Sequence, residues 1–362
     1  MLLEGSKTGR REMKQVTRHF AAIVFSSALL TVSSAAIARA ADVVIVANGG
    51  ATQDAERKAV WEPAAKALGF TFDEDTSQSW TEGKAQVDAG AVTWDIVSLN
   101  MGEVPLALKA NILSKLPADI VDRKDFVAGS VNDYCVGNTV FSTLIAYSTA
   151  KFGDQGPTNF VDFWDVKKFP GKRLMFKGPR GNMEAAALAL GHPRTEVYKF
   201  LSTEEGRKAA LDKIAELKPY AVWFDSGAQS TQLVRDGEVD MIYGWNGRII
   251  AAIDAGAPFK INYKDSLLDI DCYAVLNGAP NIDNAIKFVK EISKAEYVKD
   301  LPKYIAYGSP NLKANASYDE KTLDRLTTSP QNAAEAYTTD FDFWGKYGTT
   351  LSEAFDHMLA SN

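Results

Sequence analysis

Residues 42–48, DVVIVAN, form a short continuous apolar run that ends in Gly49-Gly50. Runs of this kind read as parallel strands buried on both faces, and the glycines as a tight strand-to-helix turn. Ala55, Ala59, Val60, Ala64 and Leu68 then recur at helical spacing, and Gly69 marks the stop. Strand-like segments follow at 70–72 and 94–99, then a helical one at 104–110. Residues 42 to about 116 therefore alternate strand and helix, the pattern of an α/β sheet wound by crossovers.

VFSTLIAY at 140–147 reads as a long strand with no helix just before it. Alternation resumes with strands at 173–176, 222–224 and 241–245, and helices at 182–190, 204–217 and 229–235. CYAVL at 272–276 is a further strand, followed by a helix over 284–293 and a helical tail from Tyr318. Two α/β lobes are expected, facing each other across a cleft and joined by crossing strands. Open α/β sheets bind at the carboxyl ends of their strands, so two lobes make one shared pocket.

The first forty residues change the picture, because they read as a secretory leader. Arg10, Arg11, Lys14 and Arg18 precede an apolar stretch over 20–37, and Ala38-Arg39-Ala40 fits a cleavage site. Cleavage there implies export to the periplasm, and no lipid-anchoring Cys sits nearby. The 362 residues, 46% hydrophobic and 24% charged, suit about two soluble domains. A net charge of −6 argues against nucleic acid as a partner. Three His and two Cys leave no zinc-finger or iron–sulfur framework. Neither G-x-S-x-G, G-x-G-x-x-G nor H-E-x-x-H occurs. The expectation is a binding protein without cofactor or metal rather than an enzyme, and a monomer.

Three stretches carry a resemblance. Residues 237–247, GEVDMIYGWNG, the acidic strand LLDIDCYAV at 267–275, and Tyr307-Gly308-Ser309-Pro310-Asn311 stand in order along the chain. In them the chain resembles the periplasmic solute-binding proteins of ABC importers, and among those the spermidine/putrescine-binding family. The resemblance implies a two-lobed, type II periplasmic-binding-protein fold with crossover hinge strands, closure on a small ligand, and delivery to an inner-membrane permease. The lobes are expected over 41–145 with 272–315, and 146–271 with 316–362.

Carried over from the family, Trp245 matches an aromatic against the ligand's alkyl chain, Asp271 a carboxylate for a ligand ammonium, and Tyr307 a tyrosine at the cleft. Asn100 falls on a polar position after the WDIV-like strand, and Phe141-Ser142 supply an apolar wall and a hydroxyl. The departures are informative. The family's aromatic pair would fall near Gly50 and Gln53, and two of its acids at Gly178 and Gly181. Arg248 follows directly in WNGR. A guanidinium repels a diamine and grips a carboxylate with two parallel hydrogen bonds. Arg248 with Asp271 thus suits a zwitterion with separated charges, and resembles the γ-aminobutyrate-binding branch of the family; a polyamine is the alternative ligand. Arg180, in Gly-Pro-Arg-Gly, reads as a surface-loop residue, with anion binding at a helix N-terminus as the alternative, and Trp344 as a weaker candidate near a ligand-contacting position. Cys135 and Cys272 fall on the two crossover strands, where an oxidising compartment favours a disulfide.

Overall fold

The computed structural model describes residues 41–361 apart from Gln78. The expected leader lies outside these described residues. Nine strands form one sheet: β1 (Val43–Ala47), β2 (Phe72–Thr76), β3 (Ile96–Asn100), β4 (Cys135–Ser148), β5 (Arg173–Phe176), β6 (Ala221–Phe224), β7 (Met241–Trp245), β8 (Phe259–Val275) and β9 (Tyr337–Thr338). Their order is β2-β1-β3-β8-β4-β7-β5-β6, with β9 beside β8.

The order has an internal logic. β1 pairs in parallel with β2 and β3, and β5 in parallel with β6 and β7. Between these two groups run β4 and β8, antiparallel to each other along nearly their whole length. β8 takes β3 on its other edge and β4 takes β7, both antiparallel. The carboxyl ends of both parallel groups therefore point toward the middle of the β4–β8 pair. Helices cover each half, and the apolar residues divide accordingly. Trp61, Ile96, Phe288 and Ile292 pack in the first half, Phe163, Met183, Tyr243 and Phe355 in the second.

Two strands depart from the sequence pattern. β2 lies not at 70–72 but on FDEDT, mostly exposed at the sheet edge, where acidic side chains protect an open ladder. β8 starts thirteen residues before CYAVL, because KINYK is largely unburied and lacks an apolar signature. The helical segment after β1 runs to Leu68 through a π-helical turn at Arg57–Trp61, and Gly69 closes it in the left-handed conformation, φ 68°. The helix Phe341–Ala360 packs Phe343, Trp344, Leu351 and Phe355 into the second half, yet lies with Gly345 against Pro105 of the first. Among the described residues no helix is long and apolar enough to cross a membrane.

The disulfide expected between Cys135 and Cys272 is not formed here: both are buried free thiols. They sit on the paired strands as foreseen, but in diagonal register. Cys135 is opposite Ala274 and Cys272 opposite Gly137. The Cys135 thiol turns to the Met101 sulfur, 3.4 Å away.

Candidate functional site

The strand ends enclose a cavity of about 370 Å³. Asn48 follows β1, Asn100 ends β3, Lys177 follows β5 and Trp245 ends β7, and all four line it. Phe141, on β4, and Asp271, on β8, form its floor.

At the inner end stands Arg248, third residue of the helix Asn246–Asp254 and only 2% exposed. Asn246 fixes the start of that helix. Its side-chain oxygen accepts from the Ser142 backbone N–H at 3.0 Å, and its amide donates to the Ala306 carbonyl at 2.7 Å. Arg248 Nη2 donates to the Gly49 carbonyl at 2.8 Å. Its Nε and Nη1 and the Thr52 hydroxyl are buried, and the Tyr307 hydroxyl is a polar neighbour of both side chains. Buried donors need acceptors, and these three groups, Thr52, Arg248 and Tyr307, all line the inner end of the cavity. Tyr307 stands beside Thr52 and Arg248; burial pushes its phenol up while the guanidinium opposes this.

The glycines explain how Arg248 fits. A Cβ on Gly227 would lie 2.5 Å from Arg248 Nε, and one on Gly50 would lie 2.8 Å from Nη1. Neither position tolerates a side chain without moving the guanidinium. Gly50, where the resembling family carries an aromatic, is thus the space that Arg248 uses. Gln53, at the other lost aromatic position, is buried and structural. Its side-chain oxygen accepts from the Gly49 N–H at 2.9 Å and its amide donates to Glu74 at 2.8 Å.

Asp271 is 8% exposed, and each carboxylate oxygen accepts one amide hydrogen bond, from Asn48 at 3.1 Å and from Asn100 at 3.2 Å. A carboxylate has room for more donors. Burial and the neighbouring Asp269 push its pKa up to about 7. Beneath the floor, burial and Asp271 push Glu56 up to about 8, although the Tyr273 hydroxyl and Arg248 oppose this. No ion pair joins Arg248 to Asp271 among the described residues, so the two opposite charges do not neutralise each other.

Trp245 forms a wall, held by Phe176 and Phe224 at ring-centroid distances of 5.3 and 5.4 Å. Phe141 and Tyr307 pack together at 5.6 Å.

The family model for bacterial extracellular solute-binding proteins matches residues 40–340. The chain belongs to this family. It is 33% identical to the gamma-aminobutyric acid-binding protein of Pseudomonas aeruginosa, over 91% of this chain and 94% of that protein. Among solved structures it is similar to the periplasmic binding protein MotA from A. tumefaciens B6 in complex with glucopine. That similarity has 50% identity and a TM-score of 0.86, and covers 88% of this chain and 99% of that one. A GABA receptor structure is 27% identical with a TM-score of 0.79, covering 89% and 98%. Solute-binding proteins are not enzymes; they bind small molecules and work with ABC permeases. The two-lobed α/β fold expected from the sequence is the fold of these structures.

The cavity of this solute-binding protein gathers Trp245, Arg248, Asp271, Tyr307, Asn100 and Phe141. Ser142 is buried beside it but is not a lining residue, and its hydroxyl has no partner. Arg180 is not a surface-loop residue. It lines the cavity, with Nη1 2.6 Å from the Asn100 side-chain oxygen and Nε 3.7 Å from Asp269. The sequence hides this because the helix it precedes, Asn182–Ala189, is almost wholly buried and draws the turn inward. Trp344 also lines the cavity, and so do Asn48, Trp80, Glu103 and Lys177. Asn48 and Lys177 each directly follow a parallel strand, a position that the strand-end rule singles out. Trp80 opens the helix Trp80–Asp88 and carries no signal of its own.

Proposed function

We propose that this chain is the periplasmic substrate-binding component of an ABC importer that captures a zwitterionic amino compound such as γ-aminobutyrate. The ligand carboxylate takes the Arg248 guanidinium with the Thr52 hydroxyl, its ammonium takes Asp271, and Trp245 covers the methylenes. The observation that carries this reading is the buried Arg248 guanidinium, without an acidic partner among the described residues, in a cavity that also holds Asp271. A diamine would leave that guanidinium desolvated beside a like charge, so polyamines are disfavoured. The γ-aminobutyrate named for the Pseudomonas relative and for the solved receptor supports the same reading.

A specific observation favours a second, larger ligand. The 370 Å³ cavity falls in the range that holds drug-sized molecules, and Lys177, Ser352 and Asp356 give its outer part a polar lining. Glucopine, bound in the structure at 50% identity, is such a candidate. The ligand bridges residues of both sheet halves, so binding favours the closed arrangement that a permease reads. The mature protein acts as a monomer, with lobes over 41–145 with 272–315 and 146–271 with 316–362.

Calorimetry with γ-aminobutyrate, glucopine, putrescine and spermidine side by side tests the assignment. Tight binding of a diamine with no binding of γ-aminobutyrate or glucopine overturns it.

A further inference from the structure

Glu184 does not line the cavity, yet it holds two parts of its outer wall. It is fully buried on the helix Asn182–Ala189. One carboxylate oxygen accepts the Gly181 backbone N–H at 2.8 Å. The other accepts the Trp344 indole N–H at 2.7 Å and the Tyr198 hydroxyl at 2.8 Å. Gly181 directly follows Arg180, and both Arg180 and Trp344 line the cavity beyond Asn100. Trp344 comes from the C-terminal helix, 160 residues away. Its Cβ lies 3.6 Å, and Arg180 Nη1 3.4 Å, from where a Cβ on Gly102 would stand, so the two side chains crowd one spot at the β3 end. Three donors converge on Glu184 from three separate segments. Such an arrangement is satisfied by an ionised carboxylate and by no neutral side chain of similar shape.

We propose that Glu184 is a positioning residue that sets ligand selectivity. One buried carboxylate fixes the Arg180 turn and the Trp344 indole in a single geometry, and so determines whether a ligand extending past Asp271 is accepted. The inference rests on the zwitterion reading for the inner end and adds the outer one. Glu184→Gln keeps the volume but presents an NH₂ group to at least one of the three donors. Its damage falls on the outer wall, while the Arg248 end is built from other elements.

The test compares wild type, Glu184→Gln and Glu184→Ala. In ligand-free protein, amide exchange at Gly181 and the Trp344 indole ¹H–¹⁵N resonance are measured. Calorimetry is then run with γ-aminobutyrate and with glucopine. For Glu184→Gln, Gly181 exchanges faster and the indole signal moves. Affinity for glucopine falls on the order of tenfold, and by much less than that for γ-aminobutyrate. Unchanged Gly181 exchange and indole signal overturn the proposal. So does an equal loss for both ligands, which marks a purely structural role. If Glu184→Ala does not fold, the Gln variant alone decides. If wild type binds neither ligand, the functional reading falls, while exchange and the indole signal still decide whether Glu184 fixes the wall.

Discussion

Arg248 Nη2 lies 2.8 Å from the carbonyl oxygen of Gly49, a contact that spans 199 residues of chain. It ties the first turn of the helix after β7 to the turn after β1, so one side chain belongs to both halves of the sheet. In the proposed function the same guanidinium also holds the ligand's carboxylate. Removing one partner of a buried charged pair costs about 2–5 kcal/mol. Arg248→Ala is therefore expected to abolish binding of γ-aminobutyrate and to leave putrescine binding weak or improved, by calorimetry. Retained γ-aminobutyrate affinity would place the carboxylate elsewhere.

Gly227→Ala probes the same grip without touching a charge. The new methyl meets Arg248 Nε at 2.5 Å and must displace it. Overpacking of this kind costs about 1–3 kcal/mol. The expected result is a folded protein, by circular dichroism, with affinity reduced at least tenfold. Wild-type affinity would show that the guanidinium can move freely.

Trp245→Ala removes the wall over the ligand's methylenes. Loss of that apolar contact is worth about 1–3 kcal/mol of affinity. Titration of tryptophan fluorescence is expected to lose most of its ligand-dependent change. An unaltered response would assign the signal to Trp80 or Trp344, which also line the cavity.

Asp271 and Glu56 give stability and binding opposite pH dependences. Both carboxyls are raised on folding, to about 7 and about 8, from ordinary values of 3.8 and 4.5. The folded chain thus holds these protons more tightly than the unfolded one, and their contribution to stability falls as pH rises from about 4 to about 8. Ammonium binding needs ionised Asp271, so affinity falls as pH drops below about 7. Ligand-free protein should melt higher at pH 6 than at pH 8, and affinity should be greater at pH 8. Asp271→Asn should flatten both trends; trends unchanged in that variant would assign them to other groups.

The parallel strands and their helices were legible because continuous apolar runs and glycine stops report directly on buried elements. β5 and β7 fall where the pattern puts them. β2 and the start of β8 were not legible, since pairing rather than burial holds them in the sheet. The WNGR segment announced the inner end of the site, and the structure assigns Trp245, Asn246 and Arg248 distinct tasks there. Of the outer end only Trp344 was legible, since Arg180 and Trp80 reach the cavity from segments far apart in sequence. Only tertiary packing brings them together.

The β4–β8 pairing carries register shifts between Gly137 and Thr139 and between Thr143 and Ile145. They stand on either side of Phe141, which lies under the ligand site. The backbone is therefore irregular, and easiest to bend, directly below the cargo. Any opening there also parts Asp271 from Trp245 and has to break the Arg248–Gly49 hydrogen bond that ties the two halves. Residence time is then set by how often the sheet flexes. Two ligands of unlike affinity should then be captured at similar rates and differ chiefly in how fast they leave, because the tighter one holds the sheet closed for longer.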